Sequence, residues 1–213
     1  MKKIKYVAMI PARLGSKRVK KKNIRLIGKK PLIEYVISKV KKCKFFDEIY
    51  LNSESVIFEK IAKKNNIKFY KRNKSLSTDK STNDQFALDF MSNVDVDVLI
   101  QILPTSPLIE VSEIKNFFNF FKKKKLDTLI SVAEHQITSI YKNKPINFNK
   151  LKPNPPSQKM IPLKTYATVL MAWKCKKFKF NMSKYNSAYH GGDGITDYFT
   201  LKPLSCLDID NED

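Results

Sequence analysis

The stretch VAMIPARLGSKRVKKKN, residues 7–23, is the feature around which the chain is organised. It begins as an apolar run and then breaks at Pro11, Gly15 and Ser16, and residues 13–23 hold six cations in eleven positions. A continuous apolar run is typical of a buried parallel strand, and α/β proteins bind phosphates at the Gly-containing turns that follow such strands. The stretch therefore predicts a central strand followed by a loop that binds a polyphosphate.

The loop lacks the Gly-Lys-Ser/Thr ending of a Walker loop and the G-x-G-x-x-G pattern of a dinucleotide site. Its residue types still suit phosphate, because Gly15 lets the backbone approach closely and Ser16 supplies amide and hydroxyl donors. Arg13, Lys17 and Lys22 add positive charge. On spacing alone, the same stretch also fits a basic surface segment or a localisation signal rich in lysine and arginine.

Strands and helices alternate through the first seventy residues. Apolar residues recur at helical spacing in residues 31–40 and again in residues 55–65, whereas residues 48–52 and 67–70 are short β-prone runs. This order of strand, helix, strand, helix and strand predicts a parallel sheet with right-handed crossover connections.

The next two loops are expected to carry function. Residues 71–84 are almost entirely polar, and they exceed the usual connection of about 4–6 residues. Thr82 or Asp84 is expected to cap the helix that follows. The apolar run within residues 94–103 predicts a central buried strand. It leads into the turn PTSPL, residues 104–108, at the edge where open α/β sheets bind ligands.

The second half of the chain changes in style. Ser112 is expected to cap a helix that ends in the lysines at 122–125, and residues 128–133 and 166–173 predict two further strands. Between those strands, residues 134–165 hold five prolines and few long apolar runs. These residues are therefore predicted to form a Pro-rich arm inserted into the domain, and not a helix.

Asp208 and Asp210 flank the apolar Ile209. In a strand, residues two apart point the same way, so both carboxylates would enter one space. Mg²⁺ binds through one or two carboxylates together with substrate phosphates, which makes this pair a candidate metal site. Because Glu212 and Asp213 follow, an exposed acidic segment explains the same residues equally well.

The formal net charge of +21 suggests nucleic acid at first sight. However, four of the 41 cations are arginine and the remaining 37 are lysines spread along the chain. Proteins that read nucleic acid favour arginine where planar, bidentate contacts matter. The composition therefore favours a solvated lysine-rich surface, and nucleic acid is not an expected partner.

The three cysteines are far apart, and neither they nor the two histidines show the spacing of a metal site or a catalytic triad. Unpaired cysteines fit a reducing compartment. The first apolar run ends too soon for a signal peptide, and no run approaches the roughly 18 residues that a membrane span requires. We therefore expect a cytoplasmic protein without a membrane partner.

Taken together, these motifs resemble the acylneuraminate cytidylyltransferase family. The family's Ile-Pro-Ala-Arg-Gly-Gly-Ser-Lys, followed by Lys-Asn, is similar to residues 10–17 with Lys22 and Asn23. Four later family motifs also have counterparts in the same order. Gly-x-Pro-Leu resembles residues 28–32, an arginine with Leu-x-x-Asp resembles Arg72 with residues 76–79, Pro-Thr-Ser-Pro-Leu matches residues 104–108, and Asp-Ile-Asp matches residues 208–210.

The resemblance implies a single nucleotidyltransferase domain over residues 1–213, folded as a Rossmann-like three-layer α/β sandwich. It implies transfer of CMP from CTP to an acidic sugar with release of pyrophosphate, and Mg²⁺ as cofactor. The implied catalytic residues are Arg13, Lys22, Asp208 and Asp210, of which the two aspartates bind the metal. The implied triphosphate site comprises Arg13, Gly15, Ser16, Lys17 and Lys22, while Asn23 contacts the ribose, and Arg72, the Ser81 backbone and Asn83 read cytosine.

The acceptor half departs from the family pattern. Leu103 stands where many members have glutamine, Ile109 stands where they have arginine, and no Arg-x-Asn-Gly-Ala stretch is recognisable at residues 164–168. The acceptor is therefore open between a nonulosonic acid, Kdo and a non-sugar acceptor such as a phosphonate. A non-catalytic module that binds nucleotide or nucleic acid is the alternative of a different class. In the family an arm mediates a homodimer, and residues 134–165 lie where that arm would be.

Overall fold

A seven-stranded sheet forms the centre of the computed structural model, which describes residues 3–16 and 18–211. Strands and helices follow one another along the chain in this order: β1 Tyr6–Pro11, β2 Leu26–Ile27, β3 Lys30–Pro31, α1 Leu32–Val40, β4 Glu48–Ser53, α2 Val56–Lys64, β5 Lys68–Lys71, α3 Asn83–Asn93, β6 Val98–Ile102, α4 Val111–Lys123, β7 Thr128–His135, β8 Ile140–Tyr141, β9 Lys144–Pro145, β10 Leu163–Lys174, α5 Cys175–Tyr185 and β11 Thr196–Thr200.

The central sheet has the order β11-β7-β10-β6-β1-β4-β5. Its neighbouring strands are parallel except for β10, which runs antiparallel to both β6 and β7. Strand β1 lies between β4 and β6, so the chain leaves β1 towards one side and later returns on the other. Such a reversal opens a crevice at the carboxyl ends of the strands, where α/β proteins bind ligands. The predicted mostly parallel sheet is confirmed.

Helices cover both faces of the sheet and make three layers. Along β1, Ala8 and Ile10 pack into the core on the side of α1, α2 and α4, whereas Val7 and Met9 pack on the side of α3 and α5. All four side chains are fully buried, because successive residues of a strand point to opposite faces and each face is covered. The three-layer sandwich expected from the resemblance is confirmed. None of the helices in the described ranges is long and apolar enough to cross a membrane.

The helix starts test the predicted caps. Thr82 caps α3, and its hydroxyl accepts from the Gln85 amide while the Gln85 side chain accepts from the Thr82 amide. The prediction that Ser112 caps α4 is wrong, because the helix begins at Val111 after Glu110. The Glu113 carboxylate accepts from the Glu110 amide at 3.2 Å and completes that first turn from inside the helix.

The Pro-rich arm is shorter than predicted. Strand β7 extends to His135, and β10 begins at Leu163, where the two residues pair. Residues 136–162 remain as an arm. It carries a short hairpin made by β8 and β9, which have two residues each and pair antiparallel. Much of its apolar surface faces solvent, including Leu151 at 93% exposure and Ile161 at 82%.

Candidate active site

A cleft of about 460 Å³ opens at the carboxyl ends of β1 and β6. It is bounded by the loop after β1 and by the start of the PTSPL turn. Four of its lining side chains are cations, namely Arg13, Arg18, Lys22 and Arg72, and the lining includes one carboxylate, Asp79. We call it the cationic cleft. The excess of positive charge at a sheet edge suits a polyanion.

Asp210 brings the end of the described chain to this cleft. Lys22 Nζ lies 2.7 Å from Asp210 Oδ1, and the Arg18 guanidinium lies 2.7 Å from Asp210 Oδ2. The hydrogen bond from Lys22 lowers the pKa of the Asp210 carboxyl against the opposing effect of burial. One carboxylate thus engages two cations of the predicted phosphate loop, which shows that the loop can hold an anion between those two side chains.

The predicted strand at residues 208–210 is wrong, because this segment lies outside the helices and strands. None of the strands in residues 3–16 and 18–211 pairs with it. Instead, the Ile209 amide donates to the Thr105 carbonyl at 2.9 Å, which fixes the segment against the PTSPL turn. Asp210 contacts the cationic cleft, whereas Asp208 lines a second cleft. The two carboxylates therefore stand on either side of a shared wall.

The backbone around Arg13 is fixed on both sides by a buried pair. The Arg72 guanidinium donates to the Ala12 carbonyl at 2.7 Å, and the Leu14 amide donates to Glu54 Oε1 at 2.8 Å. Arg72 and Glu54 in turn approach each other at 3.5 Å. Burial opposes the charged Glu54 carboxylate, yet the hydrogen bond from Leu14 and the charge of Arg72 outweigh it and lower the Glu54 pKa. The pair orients Arg13 towards the cleft lining.

Sequence reasoning missed Glu54. The residue directly follows β4, the neighbour of β1, and parallel neighbours end at the same edge of a sheet. That position was the only signal in the sequence, because Glu54 contacts the loop across 40 positions of chain.

Arg72 is buried, with 4% of its surface exposed. Its Nε donates to the Ser77 hydroxyl at 3.0 Å, and its guanidinium lies over the Phe86 ring at 5.0 Å from the centroid. Burial lowers the pKa of this guanidinium. Arg72 therefore joins the loop after β1 to the loop at residues 74–79, and it still lines the cationic cleft.

The other two residues implied for cytosine recognition lie outside the cleft lining. The Ser81 hydroxyl donates to the Ser75 carbonyl at 2.8 Å. Asn83 Oδ1 accepts from the side-chain Nε2 of Gln101 at 2.7 Å. The Asn83 Nδ2 atom is buried and has no hydrogen-bond partner within the described part of the chain. The structure thus brings Arg72 to the cleft but holds Ser81 and Asn83 behind it.

The remaining loop predictions have mixed outcomes. Ser16 and Asn23 line the cationic cleft, and Asn23 Nδ2 donates to the Arg13 carbonyl at 3.3 Å. A Cβ added to Gly15 would meet no atom within 4 Å, so nothing in the protein itself crowds this backbone. Lys17 lies outside the described residues. The Arg13 guanidinium pairs with Asp79 at 2.8 Å.

The second cleft has a volume of about 550 Å³ and lies between the end of β7, the start of β10 and residues 200–208. Its charged lining side chains are the carboxylates of Glu134 and Asp208, and the described residues place no lysine or arginine in this lining. We call it the anionic cleft. The departures from the family pattern are spread over the molecule: residues 165–168 line this cleft, Leu103 lines the cationic cleft, and Ile109 is fully buried in the core.

The carboxylate oxygens of Asp208 and Asp210 are the type of ligand that a hard divalent cation prefers. Mg²⁺ prefers oxygen ligands and commonly uses one or two carboxylates with phosphates and water. Asp208 makes no hydrogen bond or ion pair to the described residues, so its oxygens are available. No group of three or more His, Cys, Asp or Glu side chains that could hold a metal ion is present in the described ranges, so these carboxylates would need phosphate or water to complete a metal shell.

Comparison with known proteins adds family evidence to this geometry. The family model described as Cytidylyltransferase matches residues 7–159. An N-acylneuraminate cytidylyltransferase of Streptococcus agalactiae is 30% identical over 136 residues, which cover 62% of this chain and 32% of that protein. A protein of the same name from Escherichia coli is 28% identical over 186 residues, which cover 85% of this chain and 38% of that one.

A pseudaminic acid cytidylyltransferase of Campylobacter jejuni is 31% identical over 139 residues, 62% of this chain and 60% of its own length. The chain thus spans about a third of the length of the N-acylneuraminate relatives from the two other bacteria. Among solved structures, CMP:2-keto-3-deoxy-manno-octonic acid synthetase complexed with CTP superimposes with a TM-score of 0.74 over 97% of this chain and 93% of that one. At 16% identity, this likeness supports the fold.

Proposed function

The chain belongs to the cytidylyltransferase family, and from this premise we propose that it transfers CMP from CTP to an acidic sugar and releases pyrophosphate. The observation that carries the proposal is the grip of Lys22 and Arg18 on one carboxylate in the cationic cleft. A triphosphate brings more negative charge than Asp210 and can take its place between the same two cations.

The loop after β1 would hold the triphosphate. Arg13, Ser16 and Lys22 line the cleft, and Arg13 would exchange its ion pair with Asp79 for a phosphate oxygen. Catalysis of phosphoryl and nucleotidyl transfer depends mostly on positioning and on neutralising charge, which is the chemistry these side chains supply. We also assign Lys17 to the triphosphate, because it follows Ser16 in the same loop.

The nucleoside would lie deeper in the same cleft. We assign the ribose to Asn23 and the base to Arg72 on the support of their position in the lining. Asn83, behind the lining, supports a role at the base through its buried Nδ2 donor, which has no partner in the described chain, and the Ser81 backbone keeps the role that the resemblance implies.

Asp208 and Asp210 are the proposed ligands of Mg²⁺. Because they face different clefts, one of the two carboxylates, together with phosphate and water oxygens, would hold the ion, which when bound would supply charge neutralisation and polarise the reacting phosphate. The acceptor hydroxyl would give up its proton to solvent as its oxygen forms a bond to the α-phosphorus, and the bond from that phosphorus to the oxygen that bridges the α- and β-phosphates would break, so that pyrophosphate leaves with that oxygen. Lys22 and Arg18 would stabilise the negative charge that collects on the departing pyrophosphate.

The test is a pyrophosphate-release assay with CTP, UTP, GTP and ATP against a panel of acidic sugars and phosphonates, with Mg²⁺ present. We expect release with CTP and at least one acidic sugar, and a CTP-dependent rise in melting temperature in the absence of acceptor. If pyrophosphate is released with a phosphonate and with none of the acidic sugars, the acceptor is a phosphonate and not an acidic sugar. The assignment would be contradicted if pyrophosphate were not released and CTP did not raise the melting temperature.

We also propose that two copies associate through the arm at residues 136–162 and that the protein is cytoplasmic. The arm exposes Ile140 and Leu151, and apolar surface of this kind favours association. The three unpaired cysteines fit a reducing compartment. Sedimentation of the whole chain beside a Leu151→Ser, Ile140→Ser double variant tests the association. A dimer in both, or a monomer in both, contradicts the role of the arm.

A further inference from the structure

All four cations in the described lining of the cationic cleft are paired with carboxylates of the same chain. The pairs join Arg13 to Asp79, Arg72 to Glu54, and both Lys22 and Arg18 to Asp210. The protein itself therefore neutralises part of the charge that would attract a polyphosphate. A polyphosphate that enters the cleft must replace carboxylates as well as bind cations.

These carboxylates differ in how firmly they are held. The Glu54 side chain is 15% exposed and also accepts from the Leu14 amide, so it is a fixed part of the site. The Asp210 side chain is 33% exposed, and it belongs to a segment outside the helices and strands. The segment is fixed one residue earlier, where the Ile209 amide donates to the Thr105 carbonyl. Asp210 can therefore leave its two cations without the loss of a helix or strand.

The Asp210 carboxylate takes the position that a phosphate group would take. Its Oδ1 lies 2.7 Å from Lys22 Nζ, and its Oδ2 lies 2.7 Å from the Arg18 guanidinium. A phosphate group offers outer oxygens to the same two donors in the same way. Two anions in this position would repel each other at close range, so a phosphate and the Asp210 carboxylate exclude one another.

We propose that Asp210 is an internal competitor of the triphosphate. It occupies the phosphate position between Lys22 and Arg18, yields that position to CTP, and returns to it as pyrophosphate leaves. The apparent affinity for CTP is then lowered by the fraction of molecules in which Asp210 holds the two cations. Once displaced, the carboxylate lies beside the phosphates with its oxygens available for the proposed role as a metal ligand. This inference rests on the proposed function.

Binding in the absence of metal separates the two roles of Asp210. Isothermal titration in EDTA measures the affinity of the whole chain for CTP and for inorganic pyrophosphate, a probe without a nucleoside. We expect Asp210→Asn to bind both probes about fivefold more tightly than the wild type, a difference of about 1 kcal/mol in binding free energy. With Mg²⁺ present, the same variant should release pyrophosphate more slowly than the wild type. A residue with only a structural role would not change the two measurements in opposite directions.

Two variants serve as controls. Asp208→Asn removes the same charge two residues away, from a carboxylate that has no ion pair in the described chain. Its proposed role as a metal ligand does not affect binding in EDTA, so we expect affinities within about twofold of the wild type. Asp210→Glu keeps a carboxylate at the competing position and should bind both probes as weakly as the wild type. It shows whether a change of side chain at this position alters affinity for a reason other than charge.

Three results would overturn the proposal. These are an unchanged affinity for either probe in Asp210→Asn, an equal gain in Asp208→Asn, and no binding of either probe to any of the proteins. Pyrophosphate release by the wild type is followed in parallel. Release without the gain in Asp210→Asn defeats this inference alone. The gain without release from CTP keeps Asp210 as a competitor of polyphosphate and defeats the proposed reaction.

Discussion

The cationic and anionic clefts lie at the same edge of one sheet and share the wall at residues 208–210, yet they are built in different ways. The cationic cleft takes Arg13, Lys22 and their neighbours from a single loop after the central strand. The anionic cleft collects its side chains from β7, β10, β11 and residues 201–208. Three of the four cations of the cationic cleft come from that one loop and leave a contiguous sequence motif, whereas the lining of the anionic cleft comes from several elements and leaves none.

Removing charge from the cationic cleft should have the largest effect. Lys22→Ala deletes the cation that holds Asp210 at 2.7 Å and that would hold the triphosphate. We expect turnover to fall about 10³-fold or more, since charge neutralisation on a transferring phosphoryl group is worth that much. Steady-state pyrophosphate release measures it. Lys20→Ala, at an exposed position in the same loop, is the control. Similar rates of pyrophosphate release in the two variants would show that Lys22 has no catalytic role.

The next effect concerns how the cleft is positioned. Glu54→Gln keeps an acceptor for the Leu14 amide but removes the charge beside the buried Arg72. We expect stability to fall by about 1.5–3 kcal/mol, the usual worth of a hydrogen bond to a charged group. KM for CTP should rise more than kcat falls, because Arg72, which binds the Ala12 carbonyl beside Arg13, loses its counter-charge while the acceptor side is untouched.

Glu54→Asp serves as the matched variant, since it restores the charge at a shorter reach. Partial recovery of CTP affinity in the aspartate variant would show that charge matters. Loss of stability with unchanged kinetic constants in both variants would reduce Glu54 to a structural residue.

The sequence predicted the parts of this molecule that depend on near neighbours. The apolar run of β1, the helical spacing of α1 and the Thr82 cap are local patterns, and each appears as expected. Ser112 failed as a cap because the Glu113 carboxylate satisfies the Glu110 amide in its place. Sequence preference for small polar caps does not reveal that arrangement.

Long-range contacts account for the other differences. Asp208 and Asp210 have the two-residue period of a strand, but no strand among the described residues pairs with them, and the contact of Ile209 with Thr105 decides their placement. The pairing of Lys22 with Asp210 spans 188 positions. The resemblance supplied both residues as functional, but only the fold shows that they meet.

On the anionic cleft, the substitution Thr168→Gly should have a smaller effect on stability and on KM. Thr168 lines this cleft within a bulge of β10 and has φ = 55°. Glycine adopts this φ without a steric cost, so relief of strain should raise stability by about 1 kcal/mol or less after the entropy of the more flexible unfolded chain is counted. We expect acceptor KM to rise a few-fold as the bulge loosens, with KM for CTP unchanged. Thermal melting and the two KM values are the measurements. A destabilised Thr168→Gly variant would contradict the strained conformation.

The smallest expected difference is in acid stability, and it belongs to the cationic cleft. Lys22 and Arg18 hold the pKa of Asp210 below its ordinary value of 3.8, so this carboxylate stabilises the fold above that pH and loses its contribution as pH falls through the lowered pKa. Wild type should melt a few degrees above Asp210→Asn at pH 7, since a partly exposed ion pair is worth little. The gap should close in strong acid. Asp208→Asn, whose carboxylate has no ion pair in the described chain, should melt with the wild type throughout. If the Asp210→Asn gap is as large in strong acid as at pH 7, the carboxylate is not held by the two cations as a charged group, and the contrast between the two sides of the wall loses its electrostatic basis.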